Sequence, residues 1–336
     1  MATLATYAQS ALLLALFQCM AISAAPSLHS EQSDSVVLNN GVSMPILALG
    51  TAGYDNKTAE DAVTKALKAG FKHVHSAYDY FNLPGVGNGL KSVNREQVFL
   101  TSMTSPCVHS ASNPKRNVTD PGKCYDLTLR ELNELLSLLK VEYIDLVLLH
   151  GPSEPFGYEG GCSDKVCELN RAQYAAYNTF YSQKKARSIG VSNFCQSCLQ
   201  CLKNENKAFI PPAVNQIQMH VGMGADPEGL ISYCNDNDIV VQAYSPLAHG
   251  EVVTDRLCKK IGTSYNRTAA EVGLRWVLQQ GQKQTAIVVK SDKLQSMEED
   301  LQSLSWKLQQ HDVEVLDKAT TPKGQQDGRP SWGCAK

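Results

Sequence analysis

The sequence predicts an α/β fold in which parallel strands alternate with helices. Short β-branched or apolar runs alternate with amphipathic stretches, a pattern typical of strand–helix units around a parallel sheet. The 336 residues are 43% hydrophobic and 19% charged, so one large core can form, and barrels of this length are commonly a single domain. Eight candidate strands suit a closed (β/α)8 barrel, and they lie at residues 46–50, 72–76, 98–102, 144–150, 188–192, 213–218, 239–244 and 286–289.

An N-terminal β-hairpin is predicted before the barrel strands, because residues 39–45 read NNGVSMP. The Asn-Gly pair supplies the positive φ angles that a tight turn needs. Among the helices between strands, the clearest amphipathic stretches are residues 59–69, 127–140 and 269–280. Thr268 is a suitable N-cap for the last of them.

Two long loops are predicted after the third and fourth strands. Residues 103–125 are rich in Pro, Ser and Asn and carry Cys107 and Cys124, while residues 157–167 carry Cys162 and Cys167. Loops at this end of a barrel form the mouth of its active site. We therefore expect both loops to border the site and to hold the local disulfides Cys107–Cys124 and Cys162–Cys167.

Residues 1–25 are predicted to be a secretory signal peptide. The apolar run at 11–17 is followed by small residues that end at Ala25, as a cleavage site requires, and the run is too short for a membrane anchor. Every cysteine except Cys19 lies beyond this segment, leaving an even number for disulfides. Sequons at Asn56, Asn117 and Asn266 are usable only in the same pathway. The predicted location is outside the cell or in the secretory-pathway lumen, two alternatives that the sequence does not separate.

The charge balance excludes several classes of partner. A formal net charge of −2 provides no basic field for nucleic acid or anionic lipid, so we expect neither nucleic-acid nor membrane binding, and we expect a monomer. Cys195, Cys198 and Cys201 share one helical face, which admits either a metal site or disulfides. No histidine completes a zinc set, and an exported chain favours disulfides, with Cys234 as a candidate partner. No metal site is predicted, and the Gly-x-Gly at 85–87 follows no strand, so it belongs to a loop or weak helix.

Three segments together resemble the aldo-keto reductase family. Residues 71–82 (FKHVHSAYDYFN) resemble its G-Y-R-H-I-D-T-A-x-x-Y-x-N segment, residues 98–103 (VFLTSM) its V-F-[IL]-T-[ST]-K, and residues 145–152 (DLVLLHGP) its D-L-x-L-x-H-x-P. The resemblance runs from about residue 36 to about residue 319. It implies a TIM barrel over residues 36–320, a C-terminal tail over 321–336, and NADPH-dependent reduction of a small carbonyl substrate.

The same resemblance assigns a catalytic set of four positions, of which two are replaced. Tyr80 and His150 match the family's proton donor and substrate-orienting histidine, whereas His75 and Met103 stand where the family has aspartate and lysine. The lysine ammonium favours the tyrosine phenolate, and an aspartate left without it would be a costly buried anion. Loss of both partners is therefore coherent, and a poorly tuned acid costs on the order of 10²–10⁴ in rate.

Two interpretations of His75 stay open at this point. An imidazole near Tyr80 that titrates in the physiological range would serve as a proton relay or reservoir. Alternatively, His75 is a polar filler at a strand end. We favour the filler, because a lone histidine carries little specificity.

The cofactor residues implied by the resemblance follow in the family's order. Ser192, Asn193 and Gln216 resemble the residues that hold the nicotinamide carboxamide, and Tyr244 resembles the aromatic side chain stacked on its ring. The pyrophosphate would pass Ser245 and Leu247. In the alternative interpretation these side chains only pack the strand ends.

The adenine end departs from the family pattern. Lys290 and Ser291 resemble the P-K-S residues that grip a 2′-phosphate, but residues 296–300 read SMEED in place of R-[IL]-x-E-N. Glu299 is retained, whereas Ser296 and Asp300 replace an arginine and an asparagine. One lost charge-assisted contact costs roughly 1.5–3 kcal/mol. The expected cofactor is NADP(H) bound weakly, or NAD(H) in its place.

The sequence thus predicts an aldo-keto reductase-like oxidoreductase that reduces aldehydes or ketones to alcohols, with weakened or altered activity. The alternative is a non-catalytic secreted barrel that acts as a binding or interaction protein. Binding of the dinucleotide discriminates between the two.

Overall fold

The computed structural model describes residues 34–110, 113–153, 161–203, 209–281 and 285–323. The predicted signal peptide and residues 324–336 of the predicted tail lie outside this part. The strands are β1 Ser35–Val37, β2 Ser43–Pro45, β3 Leu47–Gly50, β4 His73–His75, β5 Phe99–Thr104, β6 Val108–Ser110, β7 Asn113–Asn117, β8 Ile144–Leu149, β9 Ala186–Ser192, β10 Val214–Gln218, β11 Val240–Tyr244 and β12 Ala286–Val289.

Helices follow most barrel strands and cover the outside of the sheet. They are α1 Asn56–Ala69, α2 Leu83–Leu90, α3 Pro121–Leu139, α4 Asp164–Ser182, α5 Gln196–Cys201, α6 Leu230–Asp236, α7 Glu251–Thr254, α8 Arg256–Tyr265, α9 Ala269–Leu278, α10 Leu294–Gln302 and α11 Gln310–Asp317. None of the described helices is long and apolar enough to cross a membrane.

A closed parallel barrel in the order β10-β11-β12-β3-β4-β5-β8-β9 forms the centre of the protein. The (β/α)8 TIM-barrel prediction is confirmed, and all eight predicted strands are present with bounds within two residues. Strand β8 reads IDLVLL and is buried along its whole length, as a strand covered on both faces must be. The helix prediction at 269–280 also holds: Thr268 caps α9 and forms a capping box with Glu271.

The N-terminal hairpin β1–β2 closes the end of the barrel opposite the strand C-termini. Its turn uses positive φ at Gly41 alone, so the expectation of two left-handed turn residues was half right. Asn40 instead uses its side chain, accepting from the Val42 amide at 3.3 Å and donating to the Arg187 carbonyl at 2.9 Å. This contact joins the hairpin to the start of β9.

A buried carboxylate binds three barrel strands together. Asp145 on β8 accepts from the Leu100 amide on β5 at 2.9 Å, from Arg95 at 2.6 Å and from Arg187 on β9 at 2.7 Å. A buried charge is tolerated when it is paired and hydrogen-bonded in this way.

Residues 103–125, predicted as a loop, contain regular elements, and residues 85–87, predicted as a loop or weak helix, are helical. Residues 103–125 contain the antiparallel hairpin β6–β7, and α3 begins at Pro121 behind the N-cap Asp120. The glycines at 85–87 lie in α2, where a Cβ on Gly85 would stand 2.0 Å from the Asn56 carbonyl oxygen and one on Gly87 2.4 Å from that of Leu139. These glycines allow α2 to pack directly against neighbouring backbone.

The disulfides correct one predicted pairing. Cys107 and Cys124 are joined as predicted, but Cys162 pairs with Cys198 and Cys167 with Cys201. The Cys162–Cys167 prediction is wrong because α5 presents Cys198 and Cys201 on one face to the segment that leads into α4. The suggested use of Cys234 is also wrong, since that thiol is free and buried. Among the described residues, no group of three His, Cys, Asp or Glu side chains is placed to hold a metal ion.

Candidate active site

A cavity of about 560 Å³ opens at the C-terminal end of the barrel strands. The side chains that the sequence placed in the site and that line it are His75, Tyr80, His150, Ser192, Asn193, Gln216, Tyr244, Ser245, Leu247 and Lys290. The lining residues that sequence reasoning missed are Gly50, Ala52, Pro246, His249, Gly250, Val288 and Val289. Most of these residues lie at the C-terminal ends of β3 and β12 or in the loop after β11. Their position at strand C-termini was the sequence signal that could have predicted them.

Four predicted site residues lie outside this lining. Met103 is fully buried in the core behind it, and Ser291 donates a hydrogen bond to the Lys293 carbonyl at 3.2 Å. Glu299 accepts from Gln295 at 3.0 Å along α10. Asp300 is buried in the same helix, where burial, and next the charge of Glu299, raises its pKa to about 7. Near neutral pH its charge is therefore partly lost.

Tyr80 stands on a single 3-10 turn after β4 and reaches the cavity. Burial raises the pKa of its phenol, and Asp79 and Tyr244 add to the effect. A neighbouring ammonium would act in the opposite direction. Met103, at the position of the family lysine, supplies none.

His75 ends β4 and is held as a neutral acceptor. The Gln216 amide nitrogen donates to its Nε2 at 2.9 Å and to the Gln242 side-chain oxygen at 2.7 Å. Burial, reinforced by His73 and His150, lowers the pKa of His75 to about 3. A proton reservoir would need a pKa near neutral pH, so this environment favours the polar-filler interpretation.

His150 follows β8 and faces both Tyr80 and an acidic residue that the sequence did not single out. Its ring meets Tyr80 edge-on, with 5.8 Å between ring centroids. Its Nδ1 lies 3.5 Å from the Oδ1 of Asp79, whose side chain is 3% exposed. The available signal was local: Asp79 immediately precedes Tyr80 on the same turn.

A polar network joins the ends of β8 to β11 where the nicotinamide is expected. Asn193 donates to the His150 carbonyl at 2.9 Å and to the Ser192 hydroxyl at 3.1 Å, and it accepts from the Tyr244 hydroxyl at 2.8 Å. Ser192 donates to the Gln216 carbonyl at 3.0 Å. The network fixes the Tyr244 ring at the cavity edge with amides beside it. This donor and acceptor set fits a carboxamide-bearing aromatic ring.

Lys290, which follows β12, adds a basic side chain to the cavity lining. The Lys290 ammonium lies 4.5 Å from the centre of the Tyr54 ring, a distance at which cation–π attraction operates. Burial, and next Asp292, raises the pKa of Tyr54 to about 12, so the ring stays neutral. A phosphate of a dinucleotide would fit beside this ammonium.

Comparisons with known proteins agree with this arrangement. Residues 46–321 match the profile described as the Aldo/keto reductase family. The chain is 31% identical to the glyoxal reductase of Bacillus subtilis over 86% of this chain and 94% of that protein. It is 30% identical to the 9,11-endoperoxide prostaglandin H2 reductase of Trypanosoma cruzi, covering 86% and 92%. The crystal structure of MGS-M4, an aldo-keto reductase from a Medee basin deep-sea metagenome library, superposes with a TM-score of 0.70 at 29% identity, covering 85% and 95%.

The profile spans the whole barrel, and the relatives align over nearly their full length. Members of this family generally use a nicotinamide dinucleotide and act on small carbonyl compounds. The chain belongs to the aldo/keto reductase family.

Proposed function

We propose that this protein reduces small aldehydes or ketones to alcohols with a nicotinamide dinucleotide, at a rate changed by the replacements at positions 75 and 103. The observation that carries the proposal is one cavity that brings Tyr80 and His150 together with the Asn193–Tyr244 network. Tyr80 and His150 are the groups that contact the carbonyl oxygen, and Asn193 and Gln216 hold the carboxamide. A bound dihydronicotinamide would supply the hydride.

The proposed cofactor is NADP(H), held with a narrow preference over NAD(H). The ammonium of Lys290, which lines the cavity, supports this proposal because it is a suitable partner for a 2′-phosphate. Ser296 and Asp300, in place of an arginine and an asparagine, weaken that end of the site. A small dicarbonyl is the first substrate to test, because one relative is named a glyoxal reductase.

A non-catalytic binding protein is the second candidate, and a specific observation favours it. Met103 is fully buried and His75 is neutral, so the charged pair that would tune Tyr80 is absent from both positions. Such a barrel would still bind the dinucleotide or a partner, without turnover.

We further propose that the protein is exported or works in the secretory-pathway lumen as a monomer. The signal-like residues 1–25, the disulfides that link distant segments and the exposure of Asn117 and Asn266 support this location.

Calorimetric titration of the oxidised protein with NADPH and with NADH tests the proposed function. Tyr244→Ala should weaken binding at least about tenfold, or about 1.4 kcal/mol, because the ring is lost. Tyr244→Phe is the matched control, since it keeps the ring and loses only the hydroxyl contact to Asn193.

Absence of binding for both nucleotides would overturn the dinucleotide proposal. Binding together with glyoxal turnover supports the reductase. Binding with no turnover on a panel of aldehydes and ketones would instead establish the non-catalytic candidate.

A further inference from the structure

Asp79 and His150 form a buried acid–base contact that the proposed function has not yet used. Their facing atoms, Asp79 Oδ1 and His150 Nδ1, are 3.5 Å apart. The Asp79 side chain is 3% exposed and that of His150 is 15% exposed. At this distance the two atoms are not hydrogen-bonded to each other in this structure, and catalytic contacts of this kind often shorten when substrate binds.

The geometry also defines which atom of His150 reaches the cavity. Nδ1 is buried, yet the residue lines the cavity. The accessible part of the ring is therefore on its other atoms, and Nε2 is the one nitrogen among them. A carboxylate on the Nδ1 side keeps a proton there and stabilises the imidazolium, which leaves Nε2 for chemistry.

Several acidic groups surround Asp79. Glu131 and the phenols of Tyr80 and Tyr177 lie close enough to Asp79 for mutual charge effects. Glu131 is itself engaged by Arg116 at 2.7 Å. His150 is a basic side chain that faces this carboxylate through Nδ1.

We propose that Asp79 and His150 act as one acid–base pair, in which Asp79 orients His150 and His150 Nε2 delivers the proton to the carbonyl oxygen. The proposal rests on the proposed reductase function and deepens it. His150 is then the catalytic acid and Asp79 a positioning residue, while Tyr80 keeps a hydrogen-bonding contact to the same oxygen. In this proposal Asp79 and His150 take over the role that the aspartate and lysine at positions 75 and 103 have in the family.

The reduction transfers one hydride and one proton to the carbonyl group. A bound dihydronicotinamide would supply the hydride to the carbonyl carbon and would itself be oxidised by two electrons. The electron pair of the carbonyl π bond moves to oxygen, and the oxygen takes the proton from Nε2 of the imidazolium. His150 is left neutral with its Nδ1 proton on the Asp79 side, and solvent returns a proton to Nε2.

Nitrogen-15 NMR of the histidine rings in the cofactor-free protein tests the orientation without any turnover. We expect Nδ1 of His150 to be protonated, with the signal assigned by its loss in His150→Gln. Asp79→Asn should move the proton population toward Nε2. Glu134→Gln is the control, because that carboxylate lies on the same side of the barrel bound to Tyr78. An unchanged His150 spectrum in Asp79→Asn overturns the orientation by Asp79.

Steady-state kinetics of the full chain with NADPH and glyoxal test the proton delivery. His150→Gln should lower kcat by about 10²–10⁴. Asp79→Asn should lower kcat at least about tenfold while KM and the nucleotide Kd stay within about threefold, and Asp79→Glu should recover part of the loss. Tyr80→Phe should retain turnover within about tenfold of the parent.

The outcomes separate this inference from the function on which it rests. If the parent protein binds no dinucleotide, the proposed function fails and the step fails with it. If it binds and turns over but loses activity in Tyr80→Phe and not in Asp79→Asn, only the step is overturned. Binding without any turnover also overturns the step, whatever the NMR result.

Discussion

His75 is neutral in this barrel because its surroundings make protonation of the imidazole unfavourable. It is buried, it accepts from Gln216, and two further histidines lie near enough to disfavour a second proton. Met103 is equally buried and carries no charge. The two replacements therefore form a matched pair, and changing one of them alone creates a buried charge without a partner.

The double variant His75→Asp with Met103→Lys should gain carbonyl reductase turnover well beyond the sum of the single variants on a logarithmic scale. Only the double change rebuilds an ion pair that lowers the Tyr80 pKa. Met103→Lys alone should unfold at a lower denaturant concentration, because it buries an unpaired ammonium. Turnover and urea midpoints of the four proteins provide the measurement. An unchanged rate in the double variant with NADPH bound would show that the site geometry is also lost.

The depressed pKa of His75 has a consequence for stability against pH. The folded pKa, about 3, lies below the ordinary histidine value of 6.5, so the unfolded chain takes up the proton first as pH falls. The contribution of His75 is fully present above pH 6.5 and declines below it by about 1.4 kcal/mol per pH unit. The free energy of unfolding in urea, measured at pH 7.5, 6 and 5, should show this decline. In His75→Gln the free energy of unfolding should fall less steeply over the same pH range. Equal slopes for both proteins would contradict the assignment.

At the scale of elements, disulfides connect the start of α4 to α5. The Cys162–Cys198 and Cys167–Cys201 bonds close segments of 36 and 34 residues. Helix α5 follows β9, whose last residue is Ser192. These bonds therefore also restrain the backbone beside the Asn193–Tyr244 network.

Replacing Cys167 and Cys201 together by serine should lower the free energy of unfolding by about 2 to 3 kcal/mol. The loss is small for a separation of 34 residues because Cys162–Cys198 still joins the same two segments, so the removed bond closes only a short loop. Cys258→Ala is the control, since that thiol is free. Non-reducing peptide mapping of the parent should recover the Cys162–Cys198 and Cys167–Cys201 peptides. A dominant Cys162–Cys167 peptide would show that the structure has the wrong connectivity.

Helix α10 carries Ser296 and Asp300, which we propose adjust the nucleotide preference. Ser296→Arg with Asp300→Asn should tighten NADPH binding by about tenfold, or about 1.4 kcal/mol, because a cation is added and a partly ionised carboxyl is removed near the 2′-phosphate. NADH binding should change little. Glu298→Gln, on the exposed side of the same helix, controls for net charge. A similar gain for both nucleotides would place the phosphate elsewhere.

At the scale of the whole molecule, the disulfides and the N-terminal segment make one joint prediction about export. Protein purified from its native source should begin near residue 26, contain no free thiol except those of Cys234 and Cys258 among the described cysteines, and lose mass on enzymatic deglycosylation. Exported chains meet the oxidising conditions and the glycosylation machinery that these features require. Intact-mass and peptide analysis would contradict export if the chain retained residues 1–25 with all thiols free.

The sequence by itself determined the barrel, because hydrophobic periodicity and turn residues are local properties that survive in any correct fold. All eight strands were predicted, and so were ten of the residues that line the cavity, through their positions at strand C-termini and in family-like motifs. The Cys107–Cys124 pair was also predictable, since both cysteines belong to one loop region.

Only the tertiary structure decided which distant groups meet. Three kinds of contact join segments far apart in the chain. They are the contact of Asp79 with His150, the hydrogen bond from Gln216 to His75, and the disulfides from Cys162 and Cys167 to α5. Desolvation likewise depends on what packs over a group, so the depressed pKa of His75 and the raised pKa of Asp300 had no signature in the residue pattern. Contact and burial arise when the barrel closes, and it is closure that determines the chemistry of this cavity.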